Sequence, residues 1–361
     1  MDATRGGKEA GFMGDARRRE GGVPGWAVAV VVAVALIAAF LASVSIGTRS
    51  VPLGDVAHAL LTGDQSTVGG IVVWRRVPRT AFALLAGAAL GVAGLLMQAV
   101  TRNPIADPSI LGVNTGASLA VVIGIAFLGV TTATQYTVLA VAGAALAAAF
   151  VYGVGSAGGG GATPLKLALA GTATSLALSS LVSVIMLPRG NVMDTFRFWQ
   201  VGSVGGADMA TAAGFAPLLA VGLIVALAMA PALEVLALGD QAAVGLGARP
   251  GVTRLVCSAA AVLLCGGVTA LAGPVGFVGL MVPHVVRTLY RGGMRVTVAL
   301  CALAGGTLLL LSDVVGRLLG MALLGTPDLE VGIVTAVVGA PVFIVVAIRS
   351  ARGGALEADA R

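Results

Sequence analysis

The chain has 361 residues, of which 58% are hydrophobic and 11% charged, and it carries a formal net charge of +6. Soluble domains use about 25% charged residues, so this chain cannot cover the polar surface of a soluble fold of its length. A mean hydropathy of +1.01 equally excludes a disordered chain, which needs low hydrophobicity and high charge. The composition is that of a polytopic membrane protein, with its basic excess in cytoplasmic loops rather than on nucleic acid.

Residues 1–25 form a polar, basic stretch (Arg5, Lys8, Arg17, Arg18, Arg19) and are predicted to be a disordered cytoplasmic tail. The apolar run from Trp26 is long enough to be an uncleaved first span rather than a signal peptide, since crossing the hydrocarbon takes roughly 20 residues. Further spans are predicted at 80–100, 111–130, 136–155, 164–187, 210–233, 252–273, 275–290, 296–313 and 331–348, after the first at 26–46. The eighth is short and holds Pro283 and His284, so a broken or tilted helix is expected there. Residues 349–361 form a second cytoplasmic tail. Nothing alternates with the period of two that marks a membrane β-barrel. The fold class is therefore all-α, with about ten transmembrane helices.

Placing both termini in the cytoplasm puts 14 of the 22 basic residues on the inner side, as the positive-inside rule requires. Against that bias, Arg75, Arg76 and Arg79 cluster at the outer start of the second span. Snorkelling anchors explain such a cluster. A dock for a soluble partner explains it too. At the inner end of the same helix, Gln98 precedes Arg102-Asn103-Pro104-Ile105-Ala106-Asp107-Pro108, a turn in which Pro stops one helix and Asp107 caps the next element. Gln98 at this depth is expected to hydrogen-bond a neighbouring helix.

Between the sixth and seventh spans, Gly239, Asp240, Gly245, Leu246 and Gly247 punctuate a short amphipathic stretch, suited either to headgroups or to a groove on a cytoplasmic partner. Gly158–Gly161 reads as a flexible turn. Cys257, Cys265 and Cys301 lie in apolar runs and read as small buried hydrophobes.

Several chemistries have no residues to perform them. The only lysines, Lys8 and Lys166, follow no Gly-rich phosphate loop, so the chain is not expected to hydrolyse ATP. Glu234 and Asp313 sit at span ends, which argues against coupling to protons or sodium by mid-membrane carboxylates. The two histidines, His58 and His284, have no metalloprotease spacing, and no nucleophile elbow is present.

RVPR at 76–79 followed by GAALGVAGLLMQAVTRNPIADPSILGVNTGA to residue 117, FWQVGS at 198–203, LGDQAAVGLG at 238–247, GPVGFVGLMVPHVVR at 273–287, LSDVVGR at 311–317 and VGIVTAVVGAPVFI at 331–344 stand in this order along the chain. In this it closely resembles the permease subunits of bacterial ABC importers for iron-siderophores, haem and cobalamin (the FecCD, or BtuC-like, family, of type II importers). The resemblance runs from the first span to the last.

It implies that Arg76, Arg79 and Arg317 dock a substrate-binding protein, so that reversing all three charges should abolish docking and spare the fold. It implies further that Gln98, Asn103 and Ile105 belong to the pathway and inner gate, and that the stretch Gly239–Gly247 couples to ATPase subunits. ATP and magnesium are then held by those partners, and this chain needs no cofactor or metal of its own. A second permease copy, identical or paralogous, completes the pathway in the inner membrane, with ferric siderophore as the expected cargo.

Two departures stand out. Ile105 replaces the usual leucine, and Asp328-Leu329-Glu330 replaces Glu-Leu-Pro. A secondary transporter working alone is the rival reading, and an intramembrane enzyme a weaker third.

Overall fold

The computed structural model describes residues 24–157, 163–325 and 328–359, and within them all regular structure is helical, with no strand. In order the helices are α1 (Gly25–Ser45), α2 (Leu53–Thr62), α3 (Val68–Thr101), α4 (Val113–Phe127), α5 (Ala133–Ser156), α6 (Pro164–Met186), α7 (Gly190–Gln200), α8 (Met209–Ala237), α9 (Asp240–Gly245), α10 (Pro250–Ala272), α11 (Val278–Leu289), α12 (Met294–Leu319) and α13 (Val331–Asp359). A 3-10 turn (Pro108–Leu111) precedes α4, and a π-helical turn (Gly320–Leu324) extends α12. The predicted tail at 1–25 and the Gly158–Gly161 turn lie almost wholly outside the described residues. The C-terminal tail begins as helix, because the backbone of α13 continues to Asp359.

Seven helices (α1, α3, α5, α6, α8, α10 and α12 with its extension) are long and apolar enough to span a bilayer, and three shorter apolar segments lie in α4, α11 and α13. Together they account for the ten predicted spans. The eighth is indeed broken. Gly273 (φ 76°) and Phe277 (φ 69°) are left-handed and bracket a non-helical stretch, which leaves α11 only 12 residues, about 18 Å against a core of about 30 Å.

The largest difference from expectation is in the second span. The helix starts at Val68, not at residue 80, and runs 34 residues with Pro78 inside it. Thr67 sets its start by accepting a hydrogen bond from the Gly70 amide, 3.1 Å. A proline costs a helix one hydrogen bond and kinks it, but here neighbouring elements hold the turn in place. RVPR therefore lies along a helix rather than opening one. Two amphipathic helices, α2 and α7, were not foreseen. They are short and partly polar, and they pack across the bundle ends. Val56 and Ala59 of α2 and Val192 and Phe196 of α7 are buried.

Helix α3 is the axis of the molecule, with 78% of its apolar window buried. Lipid tails are as apolar as leucine, so membrane helices associate through close packing at small residues. Helix α3 does this at Gly87, Gly91 and Gly94. A Cβ on Gly87 would lie 2.3 Å from the Gly305 carbonyl oxygen, on Gly91 2.4 Å from that of Cys301, and on Gly94 1.8 Å from that of Gly279. The last contact is with backbone and cannot rotate away. Gly94→Ala is thus expected to destabilise the fold by about 1–3 kcal/mol or more through overpacking. Thermal unfolding of the detergent-solubilised protein checks this, with Gly54→Ala, where a Cβ meets nothing within 4 Å, as the silent control. Equal melting temperatures for the two variants would refute the close-contact account.

Candidate functional site

The residues singled out by the sequence gather at two ends of the bundle. At the end assigned to the outside, Asp313 of α12 is 1% exposed and sits between two guanidiniums. Arg79 of α3 donates to its Oδ1 through Nε at 3.0 Å and Nη2 at 2.7 Å. Arg317, one turn further along α12, pairs with its Oδ2 at 3.0 Å and is itself 5% exposed. Arg79 also reaches Asp328 at 3.1 Å.

Other donors of Arg317, and those of Arg76, go to the C-terminal end of α1 and the residues just after it. Arg317 donates to the carbonyls of Ser43 (2.9 Å) and Ile46 (2.8 Å) and to Ser43 Oγ (2.9 Å). Arg76 donates to the carbonyls of Val44 (2.8 Å), Ser45 (3.0 Å) and Arg49 (2.6 Å). The last turn of a helix leaves carbonyls without partners. Three such groups are satisfied here by fixed guanidinium forks.

This geometry corrects one expectation. Arg76, Arg79 and Arg317 do converge at one end, but they are not free surface charges. Together they clasp α1, α3, α12 and the segment before α13. Reversing all three charges would set glutamate against buried Asp313 and against backbone carbonyls, so the fold would not be spared. The exposed arginines nearby are Arg49 and Arg75. FWQVGS, the start of GPVGF and the start of α13 meet at the same end. The Ser203 amide donates to the Ala272 carbonyl (2.7 Å) and that of Gly332 to the Gly202 carbonyl (3.0 Å). Gly273 lies where a Cβ would be 2.1 Å from the Trp199 carbonyl oxygen.

At the opposite end α3 stops at Arg102, whose left-handed backbone (φ 51°) turns the chain into the Asn103–Asp107 loop. Asn103 Oδ1 accepts from the Ile105 amide at 3.1 Å, and Asp107 Oδ1 from the Ser109 amide at 2.9 Å, capping the 3-10 turn as expected. Ile105 is exposed. Gln98 is 2% exposed, and its Nε2 donates to the carbonyls of Gly279 (3.4 Å) and Leu280 (3.2 Å). It therefore ties α3 to α11, the helix partner its position predicted.

The glycine-punctuated stretch folds as the six-residue α9, between left-handed Gly239 (φ 110°) and Gly247 (φ 77°). Its first residue, Asp240, is a junction. Arg254 Nη2 donates to both carboxylate oxygens, at 2.7 and 2.9 Å, and Arg102 pairs with Oδ1 from the other side. Arg254 is buried and so anchors the carboxylate, whereas Arg102 belongs to the turn that ends α3. Hydrogen bonds from Arg254 and then Arg102 hold the Asp240 carboxyl below its ordinary range. Because that value is depressed in the fold, the contact persists at neutral pH and is lost only as pH falls through it.

Sequence reasoning missed two carboxylates that organise these ends. Asp313 stood in view as an end-of-span acid, and its position one turn before Arg317 was a usable signal for an i,i+4 pair. Asp240 was noted only as part of a loop. No sequence spacing links it to Arg102, 138 residues away. Cys257, Cys265 and Cys301 are buried, as read.

Residues 35–349 match the FecCD transport family. Over 334 residues the chain is 42% identical to the ferric enterobactin transport system permease protein FepD of Escherichia coli (strain K12), covering 92% of this chain and 96% of that one. It is 37% identical over 305 residues to the Fe(3+)-citrate import system permease protein YfmD of Bacillus subtilis (strain 168), covering 84% and 89%. Among solved structures, a metal-chelate type ABC transporter in an inward-facing conformation superposes with a TM-score of 0.76 at 25% identity, covering 90% of this chain and 99% of that one.

Proposed function

The chain belongs to the FecCD transport family, and from that premise we propose that it is the permease subunit of an ABC importer carrying a metal chelate, a ferric siderophore, across the cytoplasmic membrane. The observation that carries this reading is near-full-length identity of 42% to a ferric enterobactin permease. On this reading ATPase subunits supply the energy and a substrate-binding protein delivers the cargo. A second permease copy closes the pathway.

Features at each end support these partners. Around α9 the apolar side chains Leu238, Val244 and Leu246 are exposed, as a helix seated in a partner's groove requires. At the outer end the exposed Arg49 and Arg75 and the partly exposed Arg76 and Arg79 meet the binding protein, and buried Arg317 holds that surface in shape. Helix α6 has only 17% of its apolar window buried, yet Thr172, Ser179 and Ser183 are exposed on it. A hydroxyl stripe suits a wet pathway against a second copy better than lipid.

The rival reading, a carrier working without an ATPase, needs a carboxylate free to take up and release an ion. Asp313, the buried carboxylate at this depth, is held by Arg79 and Arg317 and is a poor candidate.

The test is uptake of labelled ferric siderophores, haem and cobalamin in cells with and without this chain. Each is run beside cells whose partner ATPase has lost its catalytic glutamate. Loss of a ferric siderophore in both strains is expected. Uptake that needs this chain but survives the dead ATPase, with redundant ATPases removed, would overturn the proposal in favour of the lone carrier.

A further inference from the structure

Arg287, near the end of α11, has no part in the reading above, and it lines a cleft of about 460 Å³ at the same end as Arg102 and Asp240. Helices α3, α8, α11 and α12 enclose it, and its polar lining is Gln98, Arg102, Asn103, Arg287, Tyr290, Arg291 and Thr297. Three of these side chains are cationic and no carboxylate lines the cleft. Acidic groups on the adjoining elements are already committed. Asp240 holds Arg102 and Arg254, and Glu234 Oε1 accepts from the Met294 amide at 2.6 Å.

One side chain in particular points to a ligand. Arg287 is partly buried, yet it has no hydrogen-bond or ion-pair partner among the described residues. A guanidinium withdrawn from water without a counter-charge is costly, so this position favours an incoming anion. Gln98 lines the same wall, with its Nε2 committed to α11 and its Oε1 buried too deeply for a ligand in the cleft to reach. The wall therefore offers guanidinium forks for an oxyanion.

We propose that this cleft binds a phosphate ester, with the phosphate on Arg287 and Arg291. Basic pockets between helices on the cytoplasmic side of a membrane protein are suited to anionic lipid headgroups, and the cleft's volume fits one. A soluble glycerol phosphate offers the same chemistry. Occupancy neutralises Arg287 in the cleft that Asn103 also lines.

The test uses the full chain, purified and exchanged into phosphatidylcholine nanodiscs containing a minor share of phosphatidylglycerol. Native mass spectrometry counts the phosphatidylglycerol retained on release, and calorimetry in phosphatidylcholine alone measures binding of glycerol 3-phosphate. Wild type is expected to retain phosphatidylglycerol, and Arg287→Gln and Arg291→Gln to retain it about tenfold less tightly. Arg249→Gln, an exposed arginine of the same end outside the cleft, controls for unspecific attraction. Arg291 is exposed, so its variant keeps the test decisive if Arg287→Gln fails to fold. Binding of glycerol 3-phosphate without lipid retention would establish the site with a soluble occupant. Binding of neither, or equal loss in Arg249→Gln, would overturn the proposal.

Discussion

Asp313→Asn should leave little folded protein in the membrane, although it removes only a charge and keeps the side chain's size. Asp313 is 1% exposed and balances Arg317, 5% exposed, and Arg79. Removing one partner of a buried ion pair leaves an uncompensated charge and costs about 3–5 kcal/mol, a large part of a typical margin of about 5–15 kcal/mol. The neutral amide would face two guanidiniums that still need an anion, and their forks on the α1 carbonyls would loosen with them. Asp328→Asn offers the contrast. Its side chain is 40% exposed, and exposed pairs contribute only about 0–1 kcal/mol, so this variant should fold nearly as well as wild type. Membrane abundance and the melting temperature of the solubilised protein measure both. Equal behaviour of the two variants would refute the clasp as the outer end's main fastening. Arg317→Lys adds a geometric check, because a lysine keeps the charge but cannot span Asp313, Ser43 and Ile46 as a fork.

The same clasp shows how far sequence carries in a chain like this one. Hydropathy located the apolar helices because span length follows directly from bilayer thickness, and the order of motifs gave the family. Boundaries were harder where helices leave the hydrocarbon. Val68–Arg79 is helical, but Gly69-Gly70, three arginines and Pro78 interrupt its apolar residues, so α3 was cut short at residue 80. Helices α2 and α7 were lost for the same reason. The glycines of α3 were visible as letters, but their purpose, backbone contact with Gly305, Cys301 and Gly279, depends on helices some 200 residues further on. The basic cluster at 75–79 suited snorkelling anchors or a dock equally, and the resemblance alone assigned Arg76, Arg79 and Arg317 to docking. What local pattern could not show is that Arg79 and Arg317 share a buried partner, Asp313, 234 residues from Arg79. Local pattern identifies which residues are unusual, and only the fold decides what they face.

Asp240→Asn carries the second large effect, expected in coupling rather than in folding. On the proposed function, α9 meets the ATPase and the Asn103–Ile105 turn gates the inner end, and Asp240 joins the two. Its carboxylate is fixed to α10 by Arg254 at 2.7 and 2.9 Å and reaches Arg102 at the end of α3 with Oδ1. Movement of α9 can therefore pull on the gate turn without passing through the apolar core. The aspartate is exposed enough, at 48%, for asparagine to be accommodated without a folding penalty of the kind Asp313 imposes. Coupling free energies of about 1–3 kcal/mol correspond to 5–150-fold effects, so chelate imported per ATP should fall by about tenfold while ATP hydrolysis by the reconstituted transporter stays within about twofold of wild type. Arg102→Gln should reproduce the defect, and the double variant should be no worse than either single one, since both cut the same link. Arg254→Gln should differ by also lowering the melting temperature, because Arg254 is 6% exposed and its loss removes a buried anchor. A proportional fall of hydrolysis and uptake in Asp240→Asn would mean a general structural role. Unchanged uptake per ATP would mean that the force reaches the gate by another path.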